Sequence, residues 1–523
     1  MLPPAMPNAN LFAALRAAFP EDLDACAIEC AEALPDGSTP RYSWRDIDRG
    51  TAMMANLLSS LELPKGSRIA VQTEKSVEAL MLYLAVLRAG YVVLPLNTAY
   101  QASELEYFIA NAGPAVVVCS GQHFGWVSKL AFVAGTSYVF TLNDDRTGSL
   151  LERAAHCSDQ HVVAVKRADE LAAILYTSGT TGRSKGAMLS HGNLLSNALT
   201  LKSYWGWRTP AEGGDVLIHA LPIFHVHGLF VACHGALLNG SKMIWFGKFE
   251  PQAVIRRLPE ATVFMGVPTL YVRMLAEPAL DREACRPMRL FISGSAPLLI
   301  DTFKDWQTRT GHTILERYGM SETLMLTSNP CKPENGERVG GTVGPALPGV
   351  QVRIVDDQGR ACATDEIGHI QVKGPNVFNG YWRMPEKTRE EFSADGWFKT
   401  GDVGQCDAKN YVRIVGRSKD LIISGGYNVY PAEVEGYLNE LAGVAESAVI
   451  GVPHPDFGEG VVAVLVARTG AHVDGSAVMA QLKGRIANFK QPKRVFVVAE
   501  LPRNTMGKVQ KNLLREQYKA AFI

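Results

Sequence analysis

The chain has 523 residues, 47% of them apolar and 20% charged, the balance of a globular protein large enough for two or more domains. Its 52 Lys and Arg against 52 Asp and Glu leave no net charge, so no global field draws nucleic acid or anionic lipid and any anion must meet a local site. Apolar runs such as residues 85–96 fall short of the roughly 20 residues a bilayer span needs, residues 1–10 lack a secretory pattern, and nine scattered cysteines without a C-x-x-C pair argue against zinc and disulfides, so a cytoplasmic protein is expected.

From the N-terminus, β-rich runs at residues 69–72, 115–119 and 138–142 alternate with helical periodicity over 77–88. That alternation predicts parallel sheets covered by helices. An apolar strand over 171–176 then runs into residues 177–186, a loop of glycines and hydroxyls with two cations. Backbone N–H groups and hydroxyls of Thr177, Ser178, Gly179, Thr180, Thr181 and Gly182 can wrap phosphate oxygens, a loop hydroxyl such as that of Thr181 can ligate Mg²⁺, and Arg183 and Lys185 neutralise charge. The spacing from Gly182 to Lys185 is not that of a Walker A loop, which excludes an ordinary P-loop NTPase.

This loop resembles the signature of the adenylate-forming superfamily of acyl-CoA synthetases, luciferases and peptide-synthetase adenylation domains, with Arg183 and Ser184 in place of its usual Lys and Pro. Similar segments continue in order over roughly residues 10–520. At 221–229, 265–269, 288–296 and 375–382 the likeness sharpens towards bacterial malonyl-CoA synthetases. The resemblance implies an ATP- and Mg²⁺-dependent acid–thiol ligase that forms an acyl-adenylate and passes the acyl group to coenzyme A. It also implies a large N-terminal domain of helix-covered mixed or parallel sheets over residues 1–418, β-rich from about 350, and a mobile α+β C-terminal domain over 419–523.

Further along the chain the resemblance places His225 and His227 near the acyl pocket without ranking them, and Thr269 and Met320 around the C2 carbon of the acid. A second carboxylate on the substrate needs a cation. Arg289 is expected to supply it, because a guanidinium answers a buried carboxylate with two parallel donors. Residues 292–297 read as a strand ending in a small-residue turn, where Gly294, Ser295 and Ala296 border the nucleotide and the acid. In residues 316–323, Glu316, Arg317, Tyr318, Gly319, Met320 and Ser321 are expected at the nucleotide, with Tyr318 packing on adenine, Thr323 in support and Glu322 joining Thr181 at Mg²⁺.

After the β-rich segment, Asp402 and Arg417 resemble the pair that holds ribose and phosphate, and the polar residues 416–420 place a hinge at Lys419. Gly425, Gly426 and Tyr427 are expected along the path of the CoA arm. Lys508, in a segment without helical or strand pattern, is the expected catalytic ammonium, acting with Arg417 and Thr181 while charge spreads over the α-phosphate. Acetylation would erase that charge, so a lysine acetyltransferase and deacetylase acting on Lys508 are expected partners. Two other readings use the same residues: a short- or medium-chain or aryl acyl-CoA synthetase, with Arg289 structural, and a non-catalytic nucleotide- or acyl-binding sensor.

Overall fold

A computed structural model of the chain describes residues 8–33, 37–177, 184–425, 427–483, 485–504 and 507–522. Ser178, Gly179, Thr180, Thr181, Gly182 and Gly426 therefore lie outside the described residues. The chain divides into two compact units, residues 1–351 with 373–396 and residues 352–372 with 397–523. The division expected at 418 left the β-rich segment with the N-terminal residues; here its residues 352–372 and 397–418 group with the C-terminal ones.

The first unit carries two sheets. In the six-stranded one, Tyr138–Thr141, Val116–Cys119, Arg68–Gln72, Val92–Pro95 and Leu171–Thr177 run parallel, and Lys185–Ser190 closes the edge as an antiparallel hairpin with Leu171–Thr177. Strands such as Val92–Pro95 and Val116–Cys119 are buried at every residue, which is why they read as unbroken apolar runs rather than alternating ones. The helix Val77–Arg88 is also buried throughout, and its N-terminus is capped by the Ser76 side chain, which accepts from Ala79 N–H.

In the eight-stranded sheet, Cys26–Cys30, Lys242–Trp245, Val216–His219, Val263–Gly266, Leu290–Ser293 and Ile314–Met320 run parallel. Antiparallel strands Arg41–Ser43 and Leu324–Ser328 finish its two edges. Parallel strands deliver all their C-terminal ends to one side, and the connections leaving those ends are where such sheets bind ligands.

The second unit starts with an antiparallel sheet of Gln351–Val355, Gly368–Lys373, Phe398–Cys406 and Val412–Arg417. A five-stranded sheet follows, built on the long pair Val444–His454 and Gly458–Ala467. Its faces bury two cores, one under Val434, Leu438 and Leu482 and the other under Leu501 and Leu514. Among the described residues no helix is long and apolar enough to cross a membrane.

Candidate active site

Four of the parallel strands in the eight-stranded sheet bring the expected residues together. Val216–His219 leads into the loop bearing His225 and then a π-helical turn, His227–Cys233. Val263–Gly266 leads to Thr269 in the first turn of helix Pro268–Leu275. Leu290–Ser293 ends at Gly294, Ser295 and Ala296, and Ile314–Met320 carries Glu316, Arg317, Tyr318, Gly319 and Met320 before the turn at Ser321, Glu322 and Thr323. Gly319 is required there, since a Cβ would stand 2.0 Å from the Leu324 carbonyl oxygen of the hairpin. His225, Phe224 and Ser321 also line a small cleft whose other wall includes Pro95 and Tyr176 from the six-stranded sheet and Tyr100 from the loop after its strand Val92–Pro95.

Successive strand residues face opposite sides, so Glu316 and Arg317 do not pair despite being neighbours. Glu316 accepts from Gly341 N–H at 3.1 Å, and burial pushes its carboxyl up to about 8. The native state therefore keeps a proton that the unfolded chain releases above its ordinary value of 4.5, and stability is lost as pH rises between the two values. Glu316→Gln is expected to gain on the parent by at most roughly 1.4 kcal/mol per pH unit across that window. Denaturant midpoints of both proteins at pH 5, 6.5 and 8 check this; a constant difference would show that Glu316 is ionised in the fold.

Arg317 is 3% exposed, and its Nε and Nη2 find no hydrogen-bond partner among the described residues. Burial lowers its pKa to about 9. A Cβ built on Gly294 would fall 2.5 Å from the guanidinium carbon, so the glycine is what lets this cation lie against the turn. His227 is likewise buried, with Nε2 unpartnered among the described residues and Nδ1 3.4 Å from the Ser295 hydroxyl. Burial, then the nearby Arg317 charge, hold the imidazole well below its ordinary pKa, so it is neutral. Ser295 itself has a positive φ of 71°, a backbone conformation rare for a residue with a Cβ.

Arg289 is not at this site, which corrects the expectation placed on it. Arg289, Asp215 and Thr262 each stand one residue before the strands Leu290–Ser293, Val216–His219 and Val263–Gly266, at the N-terminal edge of the sheet. Four-residue strands separate that edge from the binding side by roughly 13 Å. The Arg289 guanidinium is committed locally: Nε and Nη2 donate to the two Asp215 oxygens at 2.8 and 2.6 Å, and Nη1 donates to Trp205 O at 3.1 Å. The Asp215 side chain has no exposure; burial opposes its charge, yet the Arg289 guanidinium and the Arg208 N–H hold its carboxyl below the usual range.

At the edge hairpin, Glu322 is 5% exposed and its Oε1 accepts from Thr177 Oγ1 at 3.4 Å and from Tyr381 Oη at 3.0 Å. Lys185 Nζ lies 3.4 Å from Glu391 Oε1. Among the described residues no group of three or more His, Cys, Asp or Glu could hold a metal unaided. One buried carboxylate among hydroxyls does suit Mg²⁺, which keeps waters and takes phosphate oxygens as its remaining ligands. Tyr381 was not among the expected site residues; only its place in the segment 375–382 marked it.

The second unit holds the remaining expected residues. Asp402 and Arg417 are opposed across the strands Phe398–Cys406 and Val412–Arg417, with Nε 2.7 Å from Oδ1. Lys419 is exposed beside Asp420, which pairs with Arg515 at 2.7 Å. Gly425 N–H donates to Phe457 O at 2.9 Å, and the exposed Tyr427 ring stacks on Phe489. Lys508 N–H donates to Asn504 Oδ1 at 3.0 Å.

This fold and site define an AMP-binding enzyme, and the chain belongs to that family: the family model for AMP-binding enzyme matches residues 22–382, and that for the AMP-binding enzyme C-terminal domain matches residues 433–508. It is 35% identical to a malonate–CoA ligase of Arabidopsis thaliana over 86% of this chain and 78% of that one. It is 33% identical to a feruloyl-CoA synthase of an Amycolatopsis species over 93% of this chain and 96% of that one. Among solved structures, ATP-bound MatB from Rhodopseudomonas palustris is 53% identical, covering 99% of this chain and all of that one, with a TM-score of 0.93.

Proposed function

We propose that this chain is an AMP-forming malonate–CoA ligase: malonate attacks the α-phosphate of ATP to give malonyl-adenylate and diphosphate, and CoA then displaces AMP. The observation that carries the reading is Arg317, a buried guanidinium with two nitrogens unpartnered among the described residues, beside Gly294 and the neutral His227. A buried charge left alone is costly, and a carboxylate is the group that offsets it. In this reading one malonate carboxylate lies on Arg317, and the other, already a nucleophile at neutral pH, faces the nucleotide. Bound Mg²⁺ would neutralise phosphate charge, held by Glu322 with Thr177 beside it. The likeness to a malonate–CoA ligase supports the same substrate; a feruloyl-CoA synthase of similar identity makes an aryl acid the alternative to test against.

AMP release with malonate, methylmalonate, succinate, propionate, butyrate and ferulate at matched concentrations tests the reading. Malonate is expected to lead by tenfold or more in kcat/KM. A monocarboxylate in the lead would overturn the substrate, and ATP binding without any turnover would instead point to a sensor.

Lys508 is the proposed ammonium for the first half-reaction, Asp402 and Arg417 the proposed contacts of ribose and phosphate, Lys419 the proposed hinge, and Gly425 and Tyr427 part of the proposed thiol path. Lys508→Gln, which also mimics acetylation, is expected to cut malonyl-adenylate formation by about 10²-fold or more. Thioester formation from supplied malonyl-adenylate and CoA is expected to stay within about threefold of the parent. Equal loss in both half-reactions would remove Lys508 from that role.

A further inference from the structure

The segment that bears Tyr381 is hydrogen-bonded to both halves of the phosphate-handling apparatus. Met188 N–H donates to Gly380 O at 3.0 Å and Trp382 N–H to Gly186 O at 2.8 Å, which lays a further segment of the protein beside the hairpin strand carrying Lys185. On the other side Phe378 N–H donates to Glu322 O at 2.8 Å. Tyr381 sits where these meet, 4% exposed, with its backbone bridged to Ala187. Its hydroxyl donates to Glu322 Oε1 at 3.0 Å, and Lys185 Nζ lies over its ring, 4.6 Å from the centroid.

We infer that Tyr381 is a positioning residue for Mg-ATP: through its hydroxyl it orients the Glu322 carboxylate, and through its ring face it holds the Lys185 ammonium, so one side chain sets the spacing between the metal ligand and the phosphate cation. A hydroxyl donating to one carboxylate oxygen fixes the plane of the group and directs the other oxygen, the usual task of a residue behind a metal ligand. The negative face of the phenol attracts the ammonium without neutralising it, leaving its donors for phosphate. Holding both before ATP arrives avoids reorganisation when charge develops on the phosphates. A filler of the same volume would need the ring alone, so the hydroxyl is the diagnostic atom.

The inference rests on the adenylation reading, and the two are separable by experiment. Tyr381→Phe removes the hydroxyl and keeps the ring; Tyr381→Leu removes both. For each variant and the parent, Mg-ATP binding is followed by isothermal titration without acid or CoA, and diphosphate release with malonate is titrated against Mg²⁺. Tyr381→Phe is expected to weaken Mg-ATP binding and to raise the half-saturating Mg²⁺ concentration by about tenfold each. Tyr381→Leu is expected to weaken ATP binding further, including without Mg²⁺, because the ammonium loses its platform. Thioester formation from supplied malonyl-adenylate, which involves neither diphosphate nor its metal, is expected to be unchanged in Tyr381→Phe. Unchanged metal dependence and ATP affinity in Tyr381→Phe, or equal losses in both half-reactions, would overturn the role of Tyr381. Absence of adenylation in the parent would overturn the functional reading instead.

Discussion

Arg317→Met is expected to lower kcat/KM for malonate by about 10²–10³-fold while leaving propionate within about threefold of the parent. The magnitude follows from leaving a buried carboxylate without its cation, about 3–5 kcal/mol at about 1.4 kcal/mol per tenfold. Propionate has no group to place on Arg317, so it loses nothing when the guanidinium goes, and a methionine of similar length refills the space. The same substitution carries a second signature. Because Nε and Nη2 of Arg317 find no partner among the described residues, removing the charge is expected to leave the unliganded protein as stable as the parent or more so. A matched series of malonate and propionate kinetics with thermal unfolding checks both statements. Equal loss for the two acids together with a falling Tm would make Arg317 structural and leave the malonate preference without its cause.

Arg289→Ala is expected to behave in the opposite way, losing up to about 3–5 kcal/mol of stability and none of its preference for malonate over propionate. The fully buried Asp215 side chain would keep Thr262, the Arg208 backbone N–H and the more distant Arg208 guanidinium at 3.4 Å, but lose the two-pronged guanidinium that mainly balances its charge. Denaturant unfolding, with the transitions of the two units treated separately, gives the stability loss, and the ratio of kcat/KM values gives the selectivity. A well-folded Arg289→Ala protein that accepts propionate as readily as malonate would reverse the assignments of the two arginines.

The contrast between these arginines shows where reading the sequence succeeds and where it stops. Elements that bury both faces announce themselves locally. The periodicity over 77–88 coincides with the helix Val77–Arg88, and the runs at 69–72, 115–119 and 138–142 are three neighbouring parallel strands. The α/β class follows from that alternation alone. Arg289 and Arg317 look alike in sequence, each a lone cation beside an apolar run, and nothing nearby separates them. What decides between them is tertiary: Arg289 meets an aspartate 74 residues away at the start of a strand two places along the sheet, whereas Arg317 lies against a glycine turn and a neutral histidine. Direction along a parallel strand is invisible in a motif but determines whether a side chain reaches the ligand side. Tyr381 escaped for a related reason, because its partners Glu322 and Lys185 come from other parts of the chain.

The arrangement around Lys185 bears on how nucleotide affinity responds to salt. Its ammonium already faces the Glu391 carboxylate at 3.4 Å, so an incoming phosphate exchanges one anion for another rather than meeting an uncompensated cation. The electrostatic gain is then a difference between two pairings, and ionic strength changes it less than the cations near the loop would suggest. Glu391 is not stranded by the exchange, since Lys387 Nζ, 3.1 Å away on its own helix, remains as its counter-ion.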